Sequence, residues 1–476
     1  GIGDGQTINQ NNVFQNHILY SANLKQDINE DQEFLKNDEL QIFKNIENKL
    51  EKLLGLQQNI QEQNEADINQ ALNLAFHKRG PVHINIPFDE PLYETNESIL
   101  VSPTNIELHL KSKKIDDFLL NELADDWYSA TKKMVIVGIN KPNTIEQKWL
   151  DELAKDDGVV VFTETTSNLH HPNFFPSIDK IIAPLSDEEF KILQPDILLT
   201  FGGLIVSKKI KAFLRKYRPK HHWHIDEYKA NDTFFSLEHF IKMSPNQFFS
   251  DFFTKVTHLA KSDYQTFWTS IKQLRRKKHD IYLKDLGFSD LKVFDIVLKS
   301  IPNHSILQLS NSSTVRYTQL FNLNKTLKVY CNRGTSGIDG STSTAIGCSV
   351  IGKNQTVFIT GDLSFFYDSN ALWNNYIPNN FRIIIINNEG GGIFRILPGN
   401  KNSENFDTFF ETKHHLSARH LSEMFGFIYK TASNENELKT ELQLFYNDDE
   451  KPKILEIFTP RTINDSVLID YFRAIK

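Results

Sequence analysis

Apolar residues along the chain follow two different rhythms. In QIFKNIENKLEKLL, Ile42, Ile46, Leu50 and Leu53/Leu54 recur at helical spacing, and ADINQALNLAF repeats the pattern. Two helices are therefore predicted within 40–79. Gly80-Pro81 stops them, and a short strand is predicted over 82–86. Residues 1–35 are polar and turn-rich, and the segment from 95 to about Leu119 reads as a linker. From residue 133 the rhythm changes. Short continuous apolar runs (KMVIVGI, VVVFTE, PDILLTFGG, HHWHID) alternate with helical stretches such as TIEQKWLDELAKDDG and KKIKAFLRKYR. That alternation marks βαβ units around a parallel sheet buried on both faces.

Residues 262–286 read as a charged helix, with Phe267, Ile271, Leu274 and Ile281 as its inner face. A second α/β pattern starts near 290. Helices are predicted in DLKVFDIVLKSI, in ALWNNYI and near 416–425. Strands are predicted in HSILQLS, LKVYCN, QTVFITGD, FRIIIINN and KILEIFT. The fold expected is α/β, with parallel sheets flanked by helices and domains at 1–97, 98–260 and 261–476.

Composition narrows the function classes. The 476 residues carry 53 Lys+Arg against 60 Asp+Glu, a net charge of −7, which argues against a nucleic-acid binder. Two cysteines, Cys331 and Cys348, make neither a disulfide framework nor a four-ligand zinc site, so a reducing, cytoplasmic setting is expected. No run of 18 apolar residues predicts a transmembrane helix. The opening GIGDGQTINQ has neither leader character nor an initiator Met, and reads as a start within a domain. His222 and His224 of HHWHID fall on one face of a strand without a further ligand cluster. They are read as strand-end histidines, as are His170/His171 and His414/His415.

The most informative stretch is VFITGDLSFFYDSNALWNNYIPNNFRIIIINNEGGGIFRILP, residues 357–398. It places Gly-Asp and Asn-Asn at the carboxyl ends of neighbouring parallel strands, where open α/β sheets bind ligands. Asp362 offers a carboxylate oxygen, Asn388 an amide oxygen and Gly390 a carbonyl. Oxygen-only ligands suit Mg²⁺ shared with phosphate oxygens. The helix predicted after Asp362 opens its N-terminus toward the same phosphates.

Gly-Asp followed after a helix and a strand by Asn-Asn is the thiamin-diphosphate fingerprint. The motifs GDLSFFYDSNAL, NNEGGGIFRILP, NRGTSGIDGSTSTAIG, GDGQTINQ, VHINIPFDEPLYE and LSNSSTVR together resemble the 2-succinyl-5-enolpyruvyl-6-hydroxy-3-cyclohexene-1-carboxylate (SEPHCHC) synthases of menaquinone biosynthesis. The resemblance runs from residue 1 to about 400 in the family's order. Leu363 stands where most thiamin-diphosphate enzymes have Gly, and the SEPHCHC family shares that departure.

The resemblance implies a thiamin-diphosphate-binding fold and a carboligase. Such an enzyme decarboxylates 2-oxoglutarate on the cofactor and adds the succinyl-level carbanion to isochorismate. It implies Mg²⁺ (or Mn²⁺) on Asp362, Asn388 and the Gly390 carbonyl. It implies cofactor contacts from Gly361, Leu363 and Ser364, and Ile338 as the wedge that bends the cofactor. Arg316 and Arg333 match carboxylate-binding arginines, whose planar guanidinium forks suit that pairing, and Ser312 matches a substrate-contacting serine. Lys208 and Lys209 match a basic pair reaching the second substrate, although the second position is usually not Lys. Gln6 matches half of an Asn-Gln pair whose Asn is Gly5 here. Ile393, Phe394 and Leu397 match an apolar wall. Active sites shared between subunits of a homodimer or homotetramer follow from the same likeness. The family's GSRS-type motif and its ylid-forming Glu have no match here, so residues 1–97 are expected to be an incomplete pyrimidine-binding domain. Two alternatives stay open: another thiamin-diphosphate carboligase, or a non-catalytic diphosphate-binding fragment.

Overall fold

The computed structural model describes residues 5, 8–26, 45–88, 95, 97–98, 102–107, 114–396, 403 and 405–476. The chain divides into two compact units, residues 1–113 and 114–476.

In the first unit, β1 (Ser21–Asn23) pairs in parallel with β2 (His83–Asn85), joined through α1 (Asn45–Lys78). Where two helices were predicted, the described residues form one continuous helix. Strand β1, in the polar opening segment, was not anticipated. It is held by pairing rather than by an apolar run: Leu19 N–H bonds the Pro81 carbonyl at 2.8 Å and Leu24 N–H that of Asn85 at 2.9 Å.

The second unit holds two six-stranded sheets, all parallel. The middle sheet follows α2 (Asp117–Ser129). It comprises β3 (Lys133–Val137), α3 (Gln147–Lys155), β4 (Val159–Thr163), β5 (Phe175–Pro176), α4 (Ile178–Ile182), β6 (Ile197–Phe201), α5 (Lys208–Lys216), β7 (His221–Ile225) and β8 (His239–Ile241). Its order is β5-β4-β3-β6-β7-β8, so the direction of winding reverses between β3 and β6. Every residue of β3, β4 and β6 is buried, which is why these strands read as unbroken apolar runs.

Helix α6 (Tyr264–Lys284) leads to the C-terminal sheet. Of its predicted inner face only Ile271 packs against the core. Phe267, Leu274 and Ile281 are exposed, whereas Trp268, Arg275, His279 and Leu283 are buried. Polar anchors decide the rotation: Arg275 donates to the Ile475 and Lys476 carbonyls, and His279 Nδ1 lies 2.8 Å from the Tyr471 hydroxyl.

Next come α7 (Asp290–Ser300), β9 (Ile306–Leu309), α8 (Ser313–Thr318), β10 (Lys328–Cys331), α9 (Ser341–Ile351), β11 (Thr356–Gly361), α10 (Asp362–Tyr367), β12 (Phe381–Asn387), β13 (Ile428–Ala432), β14 (Lys453–Phe458) and α11 (Asn464–Ala474). The order β10-β9-β11-β12-β14-β13 places a reversal between β9 and β11. No α-helix forms at ALWNNYI; a 3-10 turn spans Ser369–Leu372. Asn374 donates to the Ala371 carbonyl at 2.8 Å, the local bond by which Asn competes with helix. Strands β5, β8 and β13 are short or edge elements that the apolar pattern did not mark.

Candidate active site

The carboxyl ends of β9, β11 and β12 converge on one polar patch, framed by the reversal of the sheet. Strand β11 hands over to α10 at Gly361, so Asp362 is the first helical residue and is buried. One of its oxygens accepts Leu363 N–H at 2.7 Å; the other accepts Gly390 N–H at 3.0 Å. Gly390 has φ +147°, and a Cβ there would lie 2.7 Å from the Glu411 carbonyl, so only glycine fits. Glu411 fixes this glycine run. Its carbonyl accepts Gly391 N–H at 2.6 Å, while its buried carboxylate is gripped by Arg395 and by Arg461 at 2.9 Å.

Asn388 donates its amide N–H to Asp290 Oδ2 at 2.8 Å. That bond turns the amide oxygen of Asn388 the other way, and among the described residues no hydrogen bond occupies it. Asp290 also accepts from Thr459 Oγ1 at 2.6 Å, and burial pushes its carboxyl up to about 6. His414 lies with Nε2 3.3 Å from Asp362 Oδ2. Its Nδ1 accepts Leu416 N–H, so Nε2 carries the proton; that atom is buried and makes no hydrogen bond among the described residues. The sequence assigns neither Asp290 nor His414 a role at this site. Asp290 looks like an ordinary first-turn acid, and the sequence places His414 among the strand-end histidines.

Ser364 donates its hydroxyl to the Ile338 carbonyl at 2.5 Å, tying the first turn of α10 to the SGIDG loop. Asn311, just after β9, donates to the Asn332 and Gly337 carbonyls at 2.6 and 2.7 Å and accepts from Arg333 at 2.8 Å. Arg333 Nε is buried without a partner among the described residues. Ser312 has φ +65°, and its carbonyl accepts from Arg316 at 2.8 Å. Burial, then the neighbouring Arg333, lowers the pKa of Arg316, while Asp179 opposes the shift. Asp179 also feels Lys209, so Arg316 and Lys209 both lie near this carboxylate. Lys208 and Lys209 are both exposed, with Lys209 5.1 Å from the centre of the Phe472 ring. Ile393 and Phe394 start a short turn after the glycine run. Gln6 and Leu397 lie outside the described residues.

Buried Glu164 lies behind this region. Its carboxylate accepts Val206 N–H at 2.9 and 2.8 Å and Ser207 N–H at 2.8 Å, immediately before α5. Burial raises it to about 7 against those bonds. His222 and His224 share Thr200 Oγ1 at 3.0 and 2.8 Å. Among the described residues no three His, Cys, Asp or Glu side chains cluster as metal ligands. A cation at Asp362 would therefore draw on amide and carbonyl oxygens and on a bound phosphate. The donor set fits a magnesium diphosphate: a carboxylate, a free amide oxygen, a carbonyl and an unpartnered imidazole N–H.

The family model for the middle domain of thiamine pyrophosphate enzymes matches residues 109–307. The model for their C-terminal TPP binding domain matches 311–457 and so contains this patch. Over its full length the chain is 53% identical to the 2-succinyl-5-enolpyruvyl-6-hydroxy-3-cyclohexene-1-carboxylate synthase of Christiangramia forsetii, covering 81% of that protein. The synthases of Flavobacterium psychrophilum and Flavobacterium johnsoniae are 48% and 49% identical over the full chain, which covers 80% of each. The chain belongs to the SEPHCHC synthase family. As a family member with the cofactor-binding domain, it is a thiamin-diphosphate-dependent enzyme. Among the described residues of this SEPHCHC synthase homologue, no helix is long and apolar enough to cross a membrane.

Proposed function

We propose that this chain is the carboligase of menaquinone biosynthesis that decarboxylates 2-oxoglutarate and joins the succinyl-level unit to isochorismate. The observation that carries this reading is the run of hydrogen bonds that ties Arg333 through Asn311 to the Gly337–Ile338 loop, and that loop to Ser364 beside Asp362. Thiamin diphosphate, when bound, supplies the electron sink for loss of CO₂ and for the new carbon–carbon bond. Asp362, the Asn388 amide oxygen and the Gly390 carbonyl hold Mg²⁺ on the diphosphate. Ser364 and the His414 N–H face the same phosphate oxygens. Ile338 props the cofactor. Arg316 and Arg333 pair with substrate carboxylates, helped by Ser312. Lys208 and Lys209 attract the second substrate, and Ile393, Phe394 and Leu397 exclude water, with Gln6 completing the polar lining. Residues 1–97, 98–260 and 261–476 serve as pyrimidine-binding, central and diphosphate-binding domains of a homodimer or homotetramer in the cytoplasm.

The test is calorimetric titration with thiamin diphosphate, with and without Mg²⁺, beside an assay of 2-oxoglutarate decarboxylation. Mg²⁺-dependent binding with isochorismate-stimulated turnover is expected. Preferential turnover of pyruvate would overturn the substrate assignment.

A further inference from the structure

A cavity of about 310 Å³ lies between the middle and C-terminal sheets, at the small end of ligand-sized pockets. Lys180 of α4, Arg276, His279 and Asp280 of α6, and Asp295 and Lys299 of α7 line it. None belongs to the candidate active site, yet two of the bordering elements do. On α4, Asp179 is felt by Arg316 and Lys209, while its neighbour Lys180 lines the cavity. Helix α8 starts beside Ser312 and carries Arg316; the chain just past its other end, at Phe321 and Asn322, lines the cavity.

The charges in this cavity do not cancel. Lys299 pairs with Asp295 at 2.5 Å, which leaves Lys180 and Arg276 facing Asp280. His279 adds no countercharge: burial, then Lys180, Lys299 and Arg276, holds its pKa at about 3. Lys180 is only 4% exposed. Its ammonium makes one hydrogen bond, to the Leu320 carbonyl at 3.2 Å, and among the described residues no carboxylate pairs with it. An ammonium has three donors, and a buried charge without its partner is costly. Burial, opposed by Asp280, brings Lys180 down to about 8, so it is still mainly cationic at neutral pH.

We infer that this cavity is a binding site for a small dianion, a phosphate or a dicarboxylate, seated between Lys180 and Arg276. The two free donors of Lys180 and the exposed guanidinium of Arg276 take the anionic oxygens, and the neutral His279 lets the anion approach without adding positive charge. Asp280 weakens the site and sets its selectivity for strongly charged ligands.

The experiment uses the full chain saturated with thiamin diphosphate and Mg²⁺, so that the cofactor site is already filled. Inorganic phosphate and, separately, succinate are titrated at constant ionic strength, and bound anion is counted by equilibrium dialysis. One saturable anion per chain is expected. Arg276→Ala should weaken it about tenfold, and Asp280→Asn should tighten it severalfold, as expected for removing one facing charge of either sign. Both positions are exposed, so these variants test the site without disturbing the core, whereas Lys180→Met alters a packed position. Tighter binding of phosphate marks a phosphate site, and tighter binding of succinate a dicarboxylate site; either, with the substitution pattern, supports the inference. No saturable binding of either anion, or binding indifferent to both substitutions, overturns it.

Discussion

The two parallel sheets of the second unit place similar equipment at their carboxyl ends and use it in opposite ways. At the reversal of the middle sheet the backbone closes on itself. Gly138 N–H bonds the Phe201 carbonyl at 2.9 Å and Gly203 N–H that of Ile139 at 2.7 Å, and a Cβ on Gly138 would stand 1.9 Å from the Gly203 carbonyl oxygen. The amides that open α5 there are taken by the protein's own Glu164. Among the described residues, the corresponding ends of the C-terminal sheet keep an amide oxygen, an imidazole N–H and a guanidinium N–H unspent. A helix start and a strand end attract anions in both places. What separates a structural joint from a site is whether the chain fills the position itself.

That contrast can be broken by substitution. The largest effect is expected from Asp362→Ala, which removes the carboxylate of the open end. Mg²⁺-dependent thiamin diphosphate affinity should fall by more than about a hundredfold, the upper range for partners that only support ligands; calorimetry reads this. Arg333→Ala should spare cofactor binding but cost about 2–4 kcal/mol in kcat/KM, as for loss of one partner of a buried charge pair. Equal kcat/KM in mutant and parent would remove Arg333 from the site.

The closed end is expected to respond in stability, not in binding. Glu164 rises from its ordinary 4.5 to about 7 on folding, so the native state holds this proton where the unfolded chain has lost it. Stability from this group is full below pH 4.5 and lost as pH rises through about 7, a change of roughly 3 kcal/mol. Urea unfolding at pH 5 and 7.5 measures it, and Glu164→Gln should flatten the slope while leaving thiamin diphosphate affinity unchanged. The smallest change sharpens the picture at the open end. Asp290→Ala frees the Asn388 amide to rotate and should weaken Mg²⁺-dependent cofactor binding by about ten- to a hundredfold. Asp290→Asn, which can still accept the Asn388 N–H, should recover part of it.

Sequence reading reached the parallel strands and the motif-bearing ends because both are local. Five-residue runs such as KMVIV and VVVFT declare themselves buried, and Gly-Asp and Asn-Asn announce strand ends. It failed where a distant partner decides. The rotation of α6 is set by Arg275 and His279 reaching residues 471–476, so its apolar spacing pointed to the wrong face. Strand β1 exists because β2 pairs with it, 62 residues away. Asp290 and His414 act on Asn388 and Asp362 from 98 and 52 positions away, and neither has a local pattern of its own.

Asn311 has a mechanical consequence. It uses both amide hydrogens on the loop that carries Ile338 and its oxygen on Arg333. On the roles proposed for Ile338 and Arg333, the prop for the cofactor and the grip on the substrate are therefore mounted on one bracket. A push on the loop at Gly337 is delivered to the guanidinium through a single planar amide, with no soft joint between. With those roles, seating one reactant would set the aim for the other.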